Sequence, residues 1–337
     1  MSRATLEDVA RASGVSKATA SYVLNNKPAS FGLSPATVRR VLEESRRLNY
    51  RPDAVAQLLE AQKRNTLSVC VFSPWLHSQF SDFMVQVSAA IESAMQEQKL
   101  HADYRLYRAG ELKKVCSAAK CRKYDACIIL GTNAADDQFL SRSSAEFNNV
   151  ILLNRNLPGF PCVYGDDRAV CEKMGERLIA GNFYRKYVLC YNESYSSRDE
   201  LRKEGYRCFF DNRNDCRLEE FTLPKSGVDQ QSMSELLARC GVHRVCYVFI
   251  RYVGAATLLN KALHDGIAVP ERIGIVGYDQ HSLLSKFLHP QLTTVEPQVL
   301  EMMRQTLNLA RQLKIGEPAG NIVVPAEIIA GNSAIIK

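Results

Sequence analysis

From Leu67 onward, short apolar runs alternate with stretches of helical periodicity, and the alternation happens twice. Residues 67–72, 102–107, 125–130 and 150–153 read as strands, with helical patterns over 83–98 and 112–121 between them. A second round follows, with helices over 171–180, 201–210, 233–240 and 254–264 and strands over 187–191, 245–250 and 273–278. A long amphipathic helix over 300–313 and a strand over 322–324 close the pattern. Apolar strands joined by helices pack as a parallel sheet covered on both faces. The class is therefore α/β, with two similar lobes and a cleft between them. Ligands of such sheets bind outside the carboxyl ends of the strands.

The front of the chain differs. Thr5-Leu6-Glu7-Asp8 has the form of a capping box, opening a helix with Leu6, Val9 and Ala10 on one side. Gly14 lets the chain reverse. Ser16 is a good N-cap for a second helix from Lys17. Ala20, Val23 and Leu24 then face a core, while Lys17, Ala18, Ser21 and Tyr22 face outward. Ser34-Pro35 starts a third helix, with Val38, Val41, Leu42 and Leu48 inside and Arg39, Arg40, Arg46 and Arg47 outside. Helix, glycine-containing turn, helix is the helix-turn-helix pattern, whose second helix enters the major groove of DNA. A short segment over 53–59 and a polar stretch over 62–65 read as a marginal helix and a linker.

Charge follows this division. Residues 1–64 hold eleven Lys and Arg against six Asp and Glu, so five of the seven net positive charges lie there. That is the distribution of a phosphate-contacting module. No run of eighteen apolar residues exists and no apolar segment follows a basic start, so a cytoplasmic protein is expected. All eleven cysteines fall at or after Cys70. Cys116 and Cys121 are close together without partners at zinc spacing, so the thiols read as reduced and mostly buried, with a redox or metal site as the other reading. There is no GxGxxG after the first strand, no GxxxxGK[ST] and no GxSxG. No catalytic residue, cofactor or metal is expected.

Five motifs stand in order: Thr5-Leu6-Glu7-Asp8-Val9-Ala10, Gly14-Val15-Ser16-Lys17-Ala18-Thr19, Asn49-Tyr50-Arg51-Pro52, Val276-Gly277-Tyr278-Asp279 and Pro290-Gln291-Leu292-Thr293-Thr294-Val295. Together they resemble the LacI/GalR family of bacterial transcription regulators over essentially the whole chain. The resemblance implies a helix-turn-helix domain over 1–51, a hinge helix and linker over 52–65, and an effector-binding, dimerising core over 66–337. That core would be periplasmic-binding-protein-like, with Rossmann-like parallel sheets, lobe one over 66–164 and 296–320 and lobe two over 165–292 and 321–337. It implies a homodimeric repressor on a near-palindromic operator, controlled by a small molecule in the cleft. A regulator gated by a protein partner, with an empty cleft, is the alternative.

By the same resemblance Thr5 belongs to the DNA-binding face, Lys17, Ala18 and Tyr22 read bases, and Ser16, Thr19, Ser21 and Asn25 contact phosphates. Leu59 would wedge into the minor groove, with Ala56 allowing two hinge helices to approach. Phe80 or Phe83 would stack on the effector, and Arg202 and Asp279 would bond it or pair with each other. Arg251-Tyr252 stands where the family usually carries Asn-Asp. A cation in place of acceptors points to an anionic or aromatic effector, a sugar phosphate or another anionic metabolite instead of a plain sugar.

Overall fold

The computed structural model describes residues 5–24, 33–48, 50, 66–75, 81–98, 100–192, 197–213, 215–224, 228–241, 243–279 and 287–337. The chain divides into two compact units, residues 1–66 and 67–337. Asn25, Ala56, Leu59, Phe80 and the whole 52–65 hinge lie outside the described residues.

Among the described residues of the first unit the elements are three helices, α1 (Leu6–Ala12), α2 (Lys17–Leu24) and α3 (Pro35–Arg47). The expected capping box closes on α1: Thr5 Oγ1 accepts from the Asp8 amide, and Asp8 accepts from the Thr5 amide at 2.9 Å. Gly14 turns the chain with φ +64°. Ser16 Oγ accepts from the Thr19 amide at 3.1 Å, and Ser34 Oγ from the Thr37 amide at 3.2 Å. Such caps contribute about 1 kcal/mol each. Val9, Ala10, Ala20, Val23 and Val41 form the buried centre, with Leu6, Leu24, Val38, Leu42 and Leu48 packed round it.

The second unit holds two six-stranded sheets. The first is built from β1 (Leu67–Ser73), β2 (Leu100–Leu106), β3 (Ala126–Ile129), β4 (Val150–Leu153), β5 (Cys162–Gly165) and β11 (Ile322–Val324), in the order β11-β5-β4-β3-β1-β2, all parallel. The second is built from β6 (Lys186–Asn192), β7 (Leu218–Leu223), β8 (Val245–Phe249), β9 (Ile273–Tyr278), β10 (Thr293–Glu296) and β12 (Glu327–Ile329). Its order is β12-β10-β9-β8-β6-β7, and only the β10–β12 pair is antiparallel. Each sheet has an apolar cluster on both faces. The helices are α4 (Ser81–Gln98), α5 (Leu112–Val115), α6 (Ala118–Cys121), α7 (Ala134–Arg142), α8 (Asp167–Ala180), α9 (Ser197–Asp211), α10 (Gln230–Ala238), α11 (Tyr252–His264) and α12 (Val299–Lys314).

Two expectations are corrected. The single helix over 112–121 is broken: Cys116 and Ser117 are extended, leaving two one-turn helices. The Lys120 ammonium takes the carbonyl of Val115 at 3.1 Å, an acceptor that a continuing helix would have used. The boundary at residue 321 also moves, because β11 pairs with β5 in the first sheet and only β12 returns to the second. No described helix is long and apolar enough to cross a membrane.

Candidate functional site

Two surfaces carry the residues singled out by sequence. On the first unit, α2 is anchored by Ala20 and Val23 and presents Lys17, Ala18 and Tyr22 outward. Ser16 is exposed, while Thr19 and Ser21 are half-buried on the helix flanks. Ser16 and Thr19 hydroxyls lie 2.8 Å apart. Lys17 Nζ sits 3.3 Å from Glu7 with both side chains largely exposed, a contact worth about 0–1 kcal/mol. Lys17 is therefore held loosely enough to turn to another anion. Thr5 is committed to its cap and to Asp8 at 2.7 Å.

In the second unit, charged groups converge where strands of both sheets end. Asp167 opens α8 just beyond β5, and Arg198 and Arg202 lie on the first turns of α9 beyond β6. Arg251 follows β8 and Asp279 follows β9. Asp167 is 2% exposed. Arg198 Nε is 2.6 Å from its Oδ2, Arg202 Nε is 3.7 Å from its Oδ1, and the Tyr278 hydroxyl donates to Oδ1. The Arg202 guanidinium lies over the Tyr278 ring at 3.6 Å, donates to the Ile250 carbonyl at 3.1 Å and faces Asp279 Oδ2 at 3.5 Å. Burial alone would drive the Arg202 charge off; Asp279 and Asp167 outweigh it and hold the group above the usual arginine range. Asp279 sits at φ +66°, fixed there by its amide on the Val295 carbonyl at 2.9 Å and by the Thr294 hydroxyl on its own carbonyl at 2.8 Å. Aspartate enters the left-handed region more readily than most side chains, so the turn after β9 is made at little cost.

The network extends across the lobes. Arg155, just after β4, donates to Asp137 at 3.1 Å and reaches the Ser197 hydroxyl at the start of α9. Burial, with repulsion from Arg198, holds Arg155 below the usual arginine range. Arg198 donates to the Gly165 carbonyl at the end of β5. Arg251 donates to Asp199 at 2.7 Å. The four arginines 155, 198, 202 and 251 are thus matched by the four aspartates 137, 167, 199 and 279. Arg251, read from sequence as a surplus cation, is paired.

The structure places Arg202 3.5 Å from Asp279, with Arg251 near enough for its charge to act on the same carboxylate. Tyr252 it places elsewhere: the ring is 5% exposed and packs with Ala255, Leu258 and Leu259 in the apolar cluster under α11, because the first turn of that helix lies flat on the sheet. Phe83 packs partly buried on the first lobe's core, edge-on to Trp75 at 6.2 Å. Trp75, Arg155, Asp137, Arg198 and Asp199 were missed. The cap of α8 is Asp166, which accepts from the Ala169 amide at 3.3 Å, while the neighbouring Asp167 serves the ion network. An aromatic two residues past an apolar strand was the available signal for Trp75.

Gly205 sets the position of α9. A Cβ there would meet the Arg168 carbonyl oxygen at 2.5 Å and the Cys171 Cβ at 2.8 Å, neither of which yields easily. Gly205→Ala is therefore expected to push α9 off α8 at a cost of about 1–3 kcal/mol, shifting Arg198 and Arg202 with it. Urea unfolding measures this; an unchanged midpoint would show that α8 and α9 part freely.

Residues 5–53 match the family model "Bacterial regulatory proteins, lacI family", and residues 177–334 match the periplasmic-binding-protein-like domain model. The HTH-type transcriptional regulator GalR of Escherichia coli K12 is 29% identical over 331 residues, covering 95% of this chain and 92% of GalR. The operator-bound lac repressor dimer with an anti-inducer superposes with a TM-score of 0.64 at 22% identity, covering 98% and 99% of the two chains. The transcriptional regulator CelR in complex with cellobiose gives 0.64 at 22% identity, covering 98% and 100%.

Proposed function

We propose that the chain is a regulator of the lacI type, a homodimeric repressor that binds a near-palindromic operator and answers to a small polar effector in the cleft of its two-lobed core. The observation that carries the DNA half is the outward face of α2, where Lys17, Ala18 and Tyr22 stand on a short, capped and well-seated helix. Lysine reaches guanine O6 or N7, and alanine packs on a thymine methyl. Two such heads related by a two-fold axis read two half-sites of a symmetric duplex.

The effector half rests on the ion network. Of its eight charged members, Asp279 and Arg251 keep the most exposed side chains, at 41% and 20%. A ligand therefore meets one acceptor and one cation, with Trp75 and Phe83 as aromatic groups at the end of the first sheet. That pairing suits a sugar bearing a single acidic group, whose hydroxyls donate to Asp279 and whose carboxylate or phosphate accepts from Arg251. The cellobiose bound by CelR is a saccharide in the same fold. Because Arg198 and Arg155 tie α9 to the first lobe, a ligand that draws Arg251 toward itself biases the lobe arrangement, and effector and operator must then alter each other's affinity equally.

The test is selection from a random duplex pool, followed by anisotropy with and without sugar acids and sugar phosphates. A symmetric site preferred by about 10³-fold or more over random DNA is expected. The effector is expected to shift that affinity, and Arg251→Ala to remove the shift while leaving the selected site unchanged. No preference for any symmetric duplex would overturn the DNA reading; an effector response untouched by Arg251→Ala would overturn the ligand reading.

A further inference from the structure

Four thiols lie together in the first lobe and make none of the contacts of the ion network. Cys70 on β1 and Cys127 on β3 are register partners on adjacent strands. Cys116 and Cys121 flank the break between α5 and α6, with their sulfurs 3.6 Å apart. All four are buried in one apolar cluster. Nothing in an effector-binding core requires two thiols in van der Waals contact at a chain break. We infer that Cys116 and Cys121 are an oxidisable dithiol, closed to an intramolecular disulfide by a peroxide and reopened by a dithiol reductant.

The geometry is favourable. The sulfurs must close from 3.6 Å to roughly the 2 Å of an S–S bond. The segment that must move is made of two four-residue helices, tied at the front by Asp136, which accepts from the Leu112 amide at 3.0 Å, and at the back by Asn149, which donates to the Cys121 carbonyl at 2.8 Å. Between these ties the backbone is extended at Cys116 and Ser117, and opening there admits a water-sized oxidant to buried sulfur. Lys120 bridges the break through the Val115 carbonyl, and Lys113, Lys114, Arg122 and Lys123 are exposed around it. Positive surroundings favour a thiolate. Hydrogen bonds from Cys116 and Cys127, with the adjacent Lys120, favour a thiolate at Cys121, and the step is written with Cys121 attacking.

The Cys121 thiolate attacks one peroxide oxygen and the O–O bond breaks. The departing hydroxide takes up a proton as water, leaving Cys121 as a sulfenic acid. The Cys116 sulfur gives up its proton and attacks the Cys121 sulfur; the S–O bond breaks and the oxygen leaves with that proton as a second water. Two thiols are oxidised and the peroxide is reduced by two electrons.

The full-length protein is treated with hydrogen peroxide, alkylated and digested with trypsin. Cleavage after Lys114, Lys120 and Arg122 separates the two cysteines, so the bridge appears as peptide 115–120 joined to peptide 121–122. A loss of about 2 Da per chain, reversed by dithiothreitol, is expected. Cys116→Ser should abolish the bridge and leave Cys121 as a dimedone-trappable sulfenic acid. Replacing the two partly exposed thiols, Cys208→Ser with Cys216→Ser, should leave the bridge intact. A bridge mapped to any other pair, or no bridge in wild-type protein at peroxide levels that oxidise Cys208, would overturn the proposal. The wild-type mapping decides even if Cys116→Ser fails to fold. It is also independent of DNA and effector binding.

Discussion

Asp167→Ala is expected to cost the core about 3–5 kcal/mol of unfolding free energy, more than any other single truncation in the ion network. The reason is what it leaves behind. Arg198 loses its contact at 2.6 Å, Arg202 is left with Asp279, the Ile250 carbonyl and the Tyr278 ring face, and the buried Tyr278 hydroxyl loses its acceptor. Two guanidiniums that are 4% and 5% exposed cannot recover this from water. Asp167→Asn keeps an acceptor for Tyr278 but removes the charge, so its cost should be smaller. Tyr278→Phe removes one donor and leaves both arginines paired, so it should cost about 1 kcal/mol. Trp75 is the only tryptophan and lies in the second unit, so its fluorescence during urea unfolding reports on the core alone. The order Ala, Asn, Tyr278→Phe is the result to look for. Equal small losses in all three would mean that water reaches Asp167 and the network is not buried in solution.

The same network shows where reading a chain by periodicity stops. Strands β1, β3, β4, β8 and β9 were legible because they are buried on both faces and almost entirely apolar. Strand β10 is almost as buried but spells Thr-Thr-Val-Glu. Its threonines pay for burial with hydrogen bonds, such as Thr294 to the Asp279 carbonyl, and a hydropathy pattern does not register that. Strand β7, at the sheet edge, reads Leu-Glu-Glu-Phe-Thr-Leu, with only Phe221 and Leu223 buried, and β12 is only three residues long. The head was legible to the level of its caps, because Thr5, Ser16 and Ser34 each bond an amide three residues away. In the core site, Tyr278 and Asp167 are 111 positions apart and Arg251 and Asp199 are 52 apart. No local spacing encodes such pairs. Arg202 and Asp279 were found only through resemblance to a family, and Arg251 by its departure from that family's pattern. The partner that neutralises Arg251 had no signal at all, which is why a surplus cation was expected.

Operator binding by this chain is expected to fall steeply with salt, by about 10³–10⁵ between 50 and 200 mM if six to ten phosphates are neutralised by the two heads. The charge surplus of residues 1–64 supplies the cations, and the exposed Arg39, Arg40, Arg46 and Arg47 on α3 hold four of them. Against that background Lys17→Ala has a distinct signature. If Lys17 reads a base, its loss lowers operator affinity by about 1–3 kcal/mol while affinity for random DNA and the salt slope barely change. Glu7→Gln is the matching control. The Lys17–Glu7 contact is 3.3 Å long and exposed, so its removal should alter operator affinity only slightly. Anisotropy on operator and scrambled duplexes across a salt series separates the cases. Should Lys17→Ala weaken both duplexes in proportion and lower the slope by about one ion, Lys17 is a phosphate contact. Base reading would then pass to Ala18 and Tyr22, the two remaining outward residues of α2.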